Sequence, residues 1–140
     1  AFIADGSILA KYTCDGDNVN PPLQISDVPI EAKSLILIVD DPDAPRGDWV
    51  HWLIWNMDPK ITEIAENSVP TGAVQGLTDF GNNEWGGPCP PSGTHRYYFK
   101  LYALDTLFEL PLATTKVQLE AAMQGHILEQ TQLLGTYQRQ

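Results

Sequence analysis

Two short apolar runs, Leu35-Ile36-Leu37-Ile38-Val39 and Val50-His51-Trp52-Leu53-Ile54-Trp55-Asn56, flank an acidic turn, Asp40-Asp41-Pro42-Asp43-Ala44-Pro45. Both runs are short and rich in β-branched or aromatic residues, so they read as two buried strands. The prolines stop pairing between them and stiffen the exit. A fold built on these strands has to carry carboxylates out of the core at the end of one strand. It carries an imidazole back in at the start of the next.

The rest of the chain supports a β-rich reading. Short strands are expected at Ile8–Thr13 and Ile25–Pro29, separated by the turn-rich loop Cys14–Leu23. Ile61–Glu84 has no repeat or periodicity and reads as a long irregular loop, of the kind that carries function. It ends in Trp85-Gly86-Gly87-Pro88-Cys89-Pro90-Pro91-Ser92-Gly93, where prolines fix the backbone and glycines permit close approach. Thr94–Leu104 reads as a long strand, with His95, Tyr97, Phe99, Leu101 and Ala103 on one face. His95 and Tyr97 stand where that apolar face meets the rim. A helix is expected from Thr115, with Thr115-x-x-Gln118 as a capping box and Leu119, Ala122, Met123, His126 and Ile127 at helical spacing. His126 in that stripe reads as a core or interface residue. Leu133–Tyr137 would form a last strand. The expected fold is mainly β: two packed antiparallel sheets with one or two peripheral helices, the main one near residues 115–129, in a single domain over residues 1–140.

Bulk properties narrow the function. Eighteen acidic residues against eight Lys and Arg give a net charge of −10, which argues against a nucleic-acid partner. No apolar run approaches the roughly 20 residues of a membrane-spanning helix. The start, Ala1-Phe2-Ile3-Ala4-Asp5, has neither an initiator Met nor a signal-peptide pattern and reads as a processed or trimmed end.

The polar groups that strand ends can bring together are Asp41, Asp43, His51, His95, Arg96, Tyr97 and the amides of the Gly86–Gly93 loop. Asp15, Asp17 and Asn18 lack the spacing and closing Glu of an EF-hand, so they read as turn caps. The two imidazoles lack the short ligand spacing of most zinc sites, and no metal or other cofactor is expected. Ser92 lies in a Pro-Gly loop rather than at a strand-to-helix elbow, and Cys89 has no helix N-terminus to activate it. A hydrolase using Ser92 or water with His51 and His95 is therefore one alternative reading. The leading one is a non-enzymatic small-anion pocket made of histidine donors, a tyrosine hydroxyl and loop amides.

Three segments carry a resemblance to a known family: Asp41-Pro42-Asp43-Ala44-Pro45, then His51-Trp52-Leu53, then Gly87-Pro88-Cys89-Pro90-Pro91-Ser92-Gly93-Thr94-His95-Arg96-Tyr97. They resemble the phosphatidylethanolamine-binding protein family, in particular its bacterial and archaeal Raf kinase inhibitor-like branch. The opening Tyr12–Gly16 with Pro21-Pro22-Leu23, and the tail from Gly125 to Tyr137, fit the same branch. The resemblance implies a sandwich of two antiparallel sheets with a pocket at one end. It carries ligand-binding roles onto Asp41, His51, Gly87, Pro88, His95 and Tyr97, with Asp43 and Trp49 beside them. It implies phosphate-like anions or phospholipid head groups as ligands, a protease or kinase as protein partner, and a homodimer. A further alternative it implies is an inhibitor of a serine protease or kinase that acts by surface contact. Val50 stands where eukaryotic members have the first histidine of a pair.

Cys14 and Cys89 fall in the two loops that flank the implied pocket. They form either a disulfide pinning those loops or a pair of thiols in a reducing cytosol. The thiols imply a cytoplasmic protein and the disulfide a periplasmic or secreted one.

Overall fold

The computed structural model describes residues 6–139. Its centre is β2, Ser34–Asp41, which runs between β3, Trp49–Met57, and β6, Thr94–Leu104. With β5, Val74–Gln75, and β7, Ile127–Gln138, they form an antiparallel sheet in the order β5-β3-β2-β6-β7. A second antiparallel sheet pairs β1, Leu23–Gln24, with β4, Glu63–Ile64. The fold is mainly β, with two antiparallel sheets and a single α-helix among the described residues, α1, Lys116–Met123.

Every residue of β2 is buried, because both faces of the main sheet are covered. Leu35, Leu37 and Val39 pack with Trp52, Ile54 and Phe99 beneath the small sheet, which contributes Ile64. Ile36 and Ile38 pack on the opposite face with Leu53, Trp55 and the helix residues Leu119 and Met123. Each fully buried aliphatic side chain contributes about 1.5–3 kcal/mol, so this alternation is what fixes the register of β2.

Charge ties the helix to the same sheet. Asp40, 1% exposed, accepts from Lys100 of β6 at 3.0 Å and from Lys116 of α1 at 2.8 Å. Lys116 also reaches Asp48 at 2.6 Å. Burial works against the Lys116 ammonium, but hydrogen bonds to Asp40 and Asp48 hold its pKa above the ordinary value.

Several expectations fail at the sheet's periphery, each for a local reason. Ile8–Thr13 is not a strand. Ala10–Tyr12 is a 3₁₀ turn, closed by the Thr13 hydroxyl donating to the Ala10 carbonyl at 2.8 Å. Ile25–Pro29 is not a strand either; the pairing lies at Leu23–Gln24, and Asp27 at φ 59° breaks the extended backbone. Ile61–Glu84 contains β4 and β5, too short to show periodicity. The capping box forms as expected, with Gln118 N–H donating to Thr115 and Thr115 N–H to Gln118. The helix, however, ends at Met123. Gly125, at φ 82°, turns the chain back, and β7 starts at Ile127 rather than Leu133. His126 is therefore outside the helical stripe. Its side chain is 44% exposed and donates through Nδ1 to Asp105 at 2.8 Å.

Candidate functional site

The C-terminal end of β2 lies beside the N-terminal ends of β3 and β6, and these three ends enclose one hollow. Val39 pairs with Trp52 and Asp40 with Val50, which leaves His51 as an extra residue opposite β2. A bulge of this kind breaks side-chain alternation and re-aims a residue. His51 turns to the face that holds Trp52 and Tyr97, its ring 5.2 Å from the rings of both Tyr97 and Phe80.

His51 is 3% exposed, and its Nδ1 lies 2.6 Å from the Gly86 carbonyl. A carbonyl only accepts, so Nδ1 carries the proton. Gly86 N–H donates back to the His51 carbonyl at 3.1 Å, clamping loop to strand. Burial lowers the imidazole pKa below its ordinary value, against the pull of the Gly86 carbonyl and the charges of Asp41, Asp40 and Asp79.

His95, the second residue of β6, donates through Nδ1 to Asp41 Oδ2 at 2.7 Å. The other Asp41 oxygen accepts Asp43 N–H at 2.8 Å. Tyr97 stands between the imidazoles, its ring stacked on His95 at 6.5 Å and edge-on to His51. Its hydroxyl is buried and makes no hydrogen bond among the described residues. Burial, and then the Asp41 carboxylate, through its charge and an approach that falls short of a well-formed hydrogen bond, raise its pKa, so the group stays a hydroxyl.

The cavity has a volume of about 170 Å³ and is lined by Asp41, Trp49, His51, His95, Tyr97 and the ring of Phe80. Ala44, Pro45, Cys89, Pro90 and Pro91 complete its wall. Gly87 and Pro88 stand one layer behind. Gly87 N–H donates to Asn18 Oδ1 at 2.9 Å, and the Pro88 carbonyl accepts Cys14 N–H at 3.2 Å. Cys14 and Cys89 are joined by a disulfide, with Cα atoms 5.4 Å apart. Asp43 turns away from the cavity toward Arg96, accepting from its Nε at 2.9 Å and Nη2 at 2.8 Å. These hydrogen bonds hold the Asp43 carboxyl at a pKa of about 2 and pin the acidic turn to β6.

Phe80 is the lining residue that no motif marks. It lies in the irregular segment and reaches His51 only because Gly86 has no side chain; a Cβ there would lie 2.3 Å from the Phe80 ring. Ser92 is exposed and does not line the cavity. Among the described residues, no group of three or more His, Cys, Asp or Glu side chains converges as a metal centre requires.

Comparison with known proteins follows the same outline. A family model described as phosphatidylethanolamine-binding protein matches residues 1–138. A UPF0098 protein of Methanothermobacter thermautotrophicus is 50% identical over 99% of this chain and 95% of its own length. Another, from Pyrococcus abyssi, is 47% identical over 99% of this chain and 82% of its own length. A crystal structure of a phosphatidylethanolamine-binding protein homologue from Chlamydia trachomatis superposes with a TM-score of 0.96 at 46% identity, covering 100% of this chain and 94% of that one. Escherichia coli YbcL, described as a member of the mammalian family, superposes with a TM-score of 0.92 at 29% identity, covering 99% of this chain and 94% of that one.

Proposed function

We propose that this chain, which belongs to the phosphatidylethanolamine-binding protein family, is a non-enzymatic binding protein whose cavity between His51 and His95 holds a small phosphate-like oxyanion. The observation that carries this reading is the Tyr97 hydroxyl. It is buried in the cavity wall with no hydrogen bond among the described residues. A buried hydroxyl without a partner costs stability, and a bound oxygen would satisfy it. The size of the site agrees. About 170 Å³ is well under the roughly 300 Å³ of a site that encloses a drug-sized molecule, so a single anionic group fits and a lipid tail does not. The position of Ser92 outside the lining favours binding over hydrolysis. The disulfide favours an oxidising compartment, periplasmic or secreted, over the cytoplasm.

Calorimetric titration with inorganic phosphate and phosphoethanolamine tests the reading. Saturable binding is expected, weakened about tenfold or more in His95→Ala and Tyr97→Phe. Equal heats in the wild type and both variants would end it.

A further inference from the structure

Both imidazoles at the cavity commit their Nδ1–H groups to the protein itself. His51 Nδ1–H donates a hydrogen bond to the Gly86 carbonyl at 2.6 Å, and His95 Nδ1–H donates one to Asp41 at 2.7 Å. The nitrogen that the buried, neutral His51 ring leaves for the cavity is therefore Nε2, a lone pair. Among the described residues, no Lys or Arg lines the cavity. Arg96 is held by Asp43, while Lys100 and Lys116 are held by Asp40 on the helix side of the sheet. Unlike most phosphate sites, this one offers no permanent cation. The titratable groups around His51 are Asp40 and Asp41 from β2, His95 and Tyr97 from β6, and Asp79, whose carboxylate accepts Val50 N–H at 2.6 Å. The carboxylates would favour a proton on His51, but the ring is 3% exposed and its burial outweighs them.

An oxyanion whose oxygens are all acceptors would press a lone pair against the lone pair of His51 Nε2. An oxyanion with a hydroxyl of its own would donate to Nε2 and accept from Tyr97. Resting on the proposed anion pocket, we infer that the site selects oxyanions that carry a proton, such as inorganic phosphate or a singly protonated phosphomonoester, over proton-free ones such as sulfate and phosphodiesters. His51 is then the specificity-determining residue, and its bulge is what places it. The diester phosphate of an intact glycerophospholipid falls in the rejected class.

The test compares inorganic phosphate, sulfate and dimethyl phosphate on the same wild-type protein at pH 7. Phosphate is expected to bind about ten- to a hundredfold more tightly than the other two, the consequence of one unmade buried hydrogen bond. Phosphoethanolamine should weaken as the pH rises past its second ionisation near about 6, whereas inorganic phosphate keeps a proton and should not. Imidazole ¹⁵N spectra should show His51 still protonated on Nδ1 alone when phosphate is bound. Equal affinity for sulfate and phosphate, or a doubly protonated His51 in the complex, would overturn the inference and leave the anion pocket standing. No binding of any of the anions would overturn both.

Discussion

His95 Nδ1 lies 2.7 Å from Asp41 Oδ2 across 54 residues of sequence. The pair closes the cavity floor, with the two side chains only 9% and 4% exposed. Asp41→Asn keeps the size of the side chain and removes its charge. The variant should lose about 1.5–3 kcal/mol in urea unfolding, the worth of a buried hydrogen bond to a charged group, and should bind phosphate more weakly. An unchanged unfolding midpoint would show that the pair contributes nothing to the fold.

Tyr97→Phe should do the opposite to stability. The hydroxyl is buried without a partner, so deleting it removes a desolvation cost of about 1 kcal/mol. The expected result is a higher melting temperature with weakened anion binding, a trade between function and stability. A lower melting temperature would mean that the hydroxyl is satisfied in the unliganded protein.

Acid should destabilise the fold through His51. Its folded pKa lies below 6.5, so below that value the unfolded chain takes up a proton that the folded chain refuses. The contribution is complete above pH 6.5 and is lost progressively as the pH falls from there through the lower folded pKa. Unfolding midpoints measured from pH 7 down to about pH 5 should fall less steeply in His51→Asn than in the wild type. Parallel slopes would remove His51 from the account.

Two adjacent glycines should respond differently to alanine. At Gly86 the new Cβ meets the Phe80 ring, which is 41% exposed and free to swing outward. Stability should fall by less than about 1 kcal/mol, while the cavity opens and binding weakens. At Gly87 the Cβ meets the Tyr12 carbonyl at 2.2 Å, so backbone has to move and the bond to Asn18 is lost. A loss of about 2 kcal/mol or more is expected. Differential scanning calorimetry of both variants decides, and equal losses would contradict the contrast.

Reduction of Cys14–Cys89 should cost about 4–5 kcal/mol on the chain-entropy model for a separation of 75 residues. The two loops also share the Cys14-to-Pro88 and Gly87-to-Asn18 hydrogen bonds, so the fold should survive. Thermal melts with and without reductant measure this. Identical melts would leave the disulfide without a stabilising role.

The long central strands were legible in the sequence. β2, β3 and β6 bury side chains at a period of two, or on both faces, and that pattern is written in consecutive residues. The helix start was legible for the same reason, since Thr115 and Gln118 meet within one turn. So were the polar residues standing at strand ends, including Asp41, His51, His95 and Tyr97.

What only the tertiary structure decided depends on residues distant in sequence. β1 and β4 are strands because Leu23 meets Ile64, and neither is long enough to show a period. The length of β7 comes from pairing along the whole of β6. Phe80 joins the cavity because Gly86 makes room, and Gly87 and Pro88 stand behind it because Asn18 and Cys14 hold them there. The aim of His51 comes from a one-residue slip against β2. A chain's local pattern states which face of a strand is buried; which partner buries it, and in what register, is set only when distant segments pack.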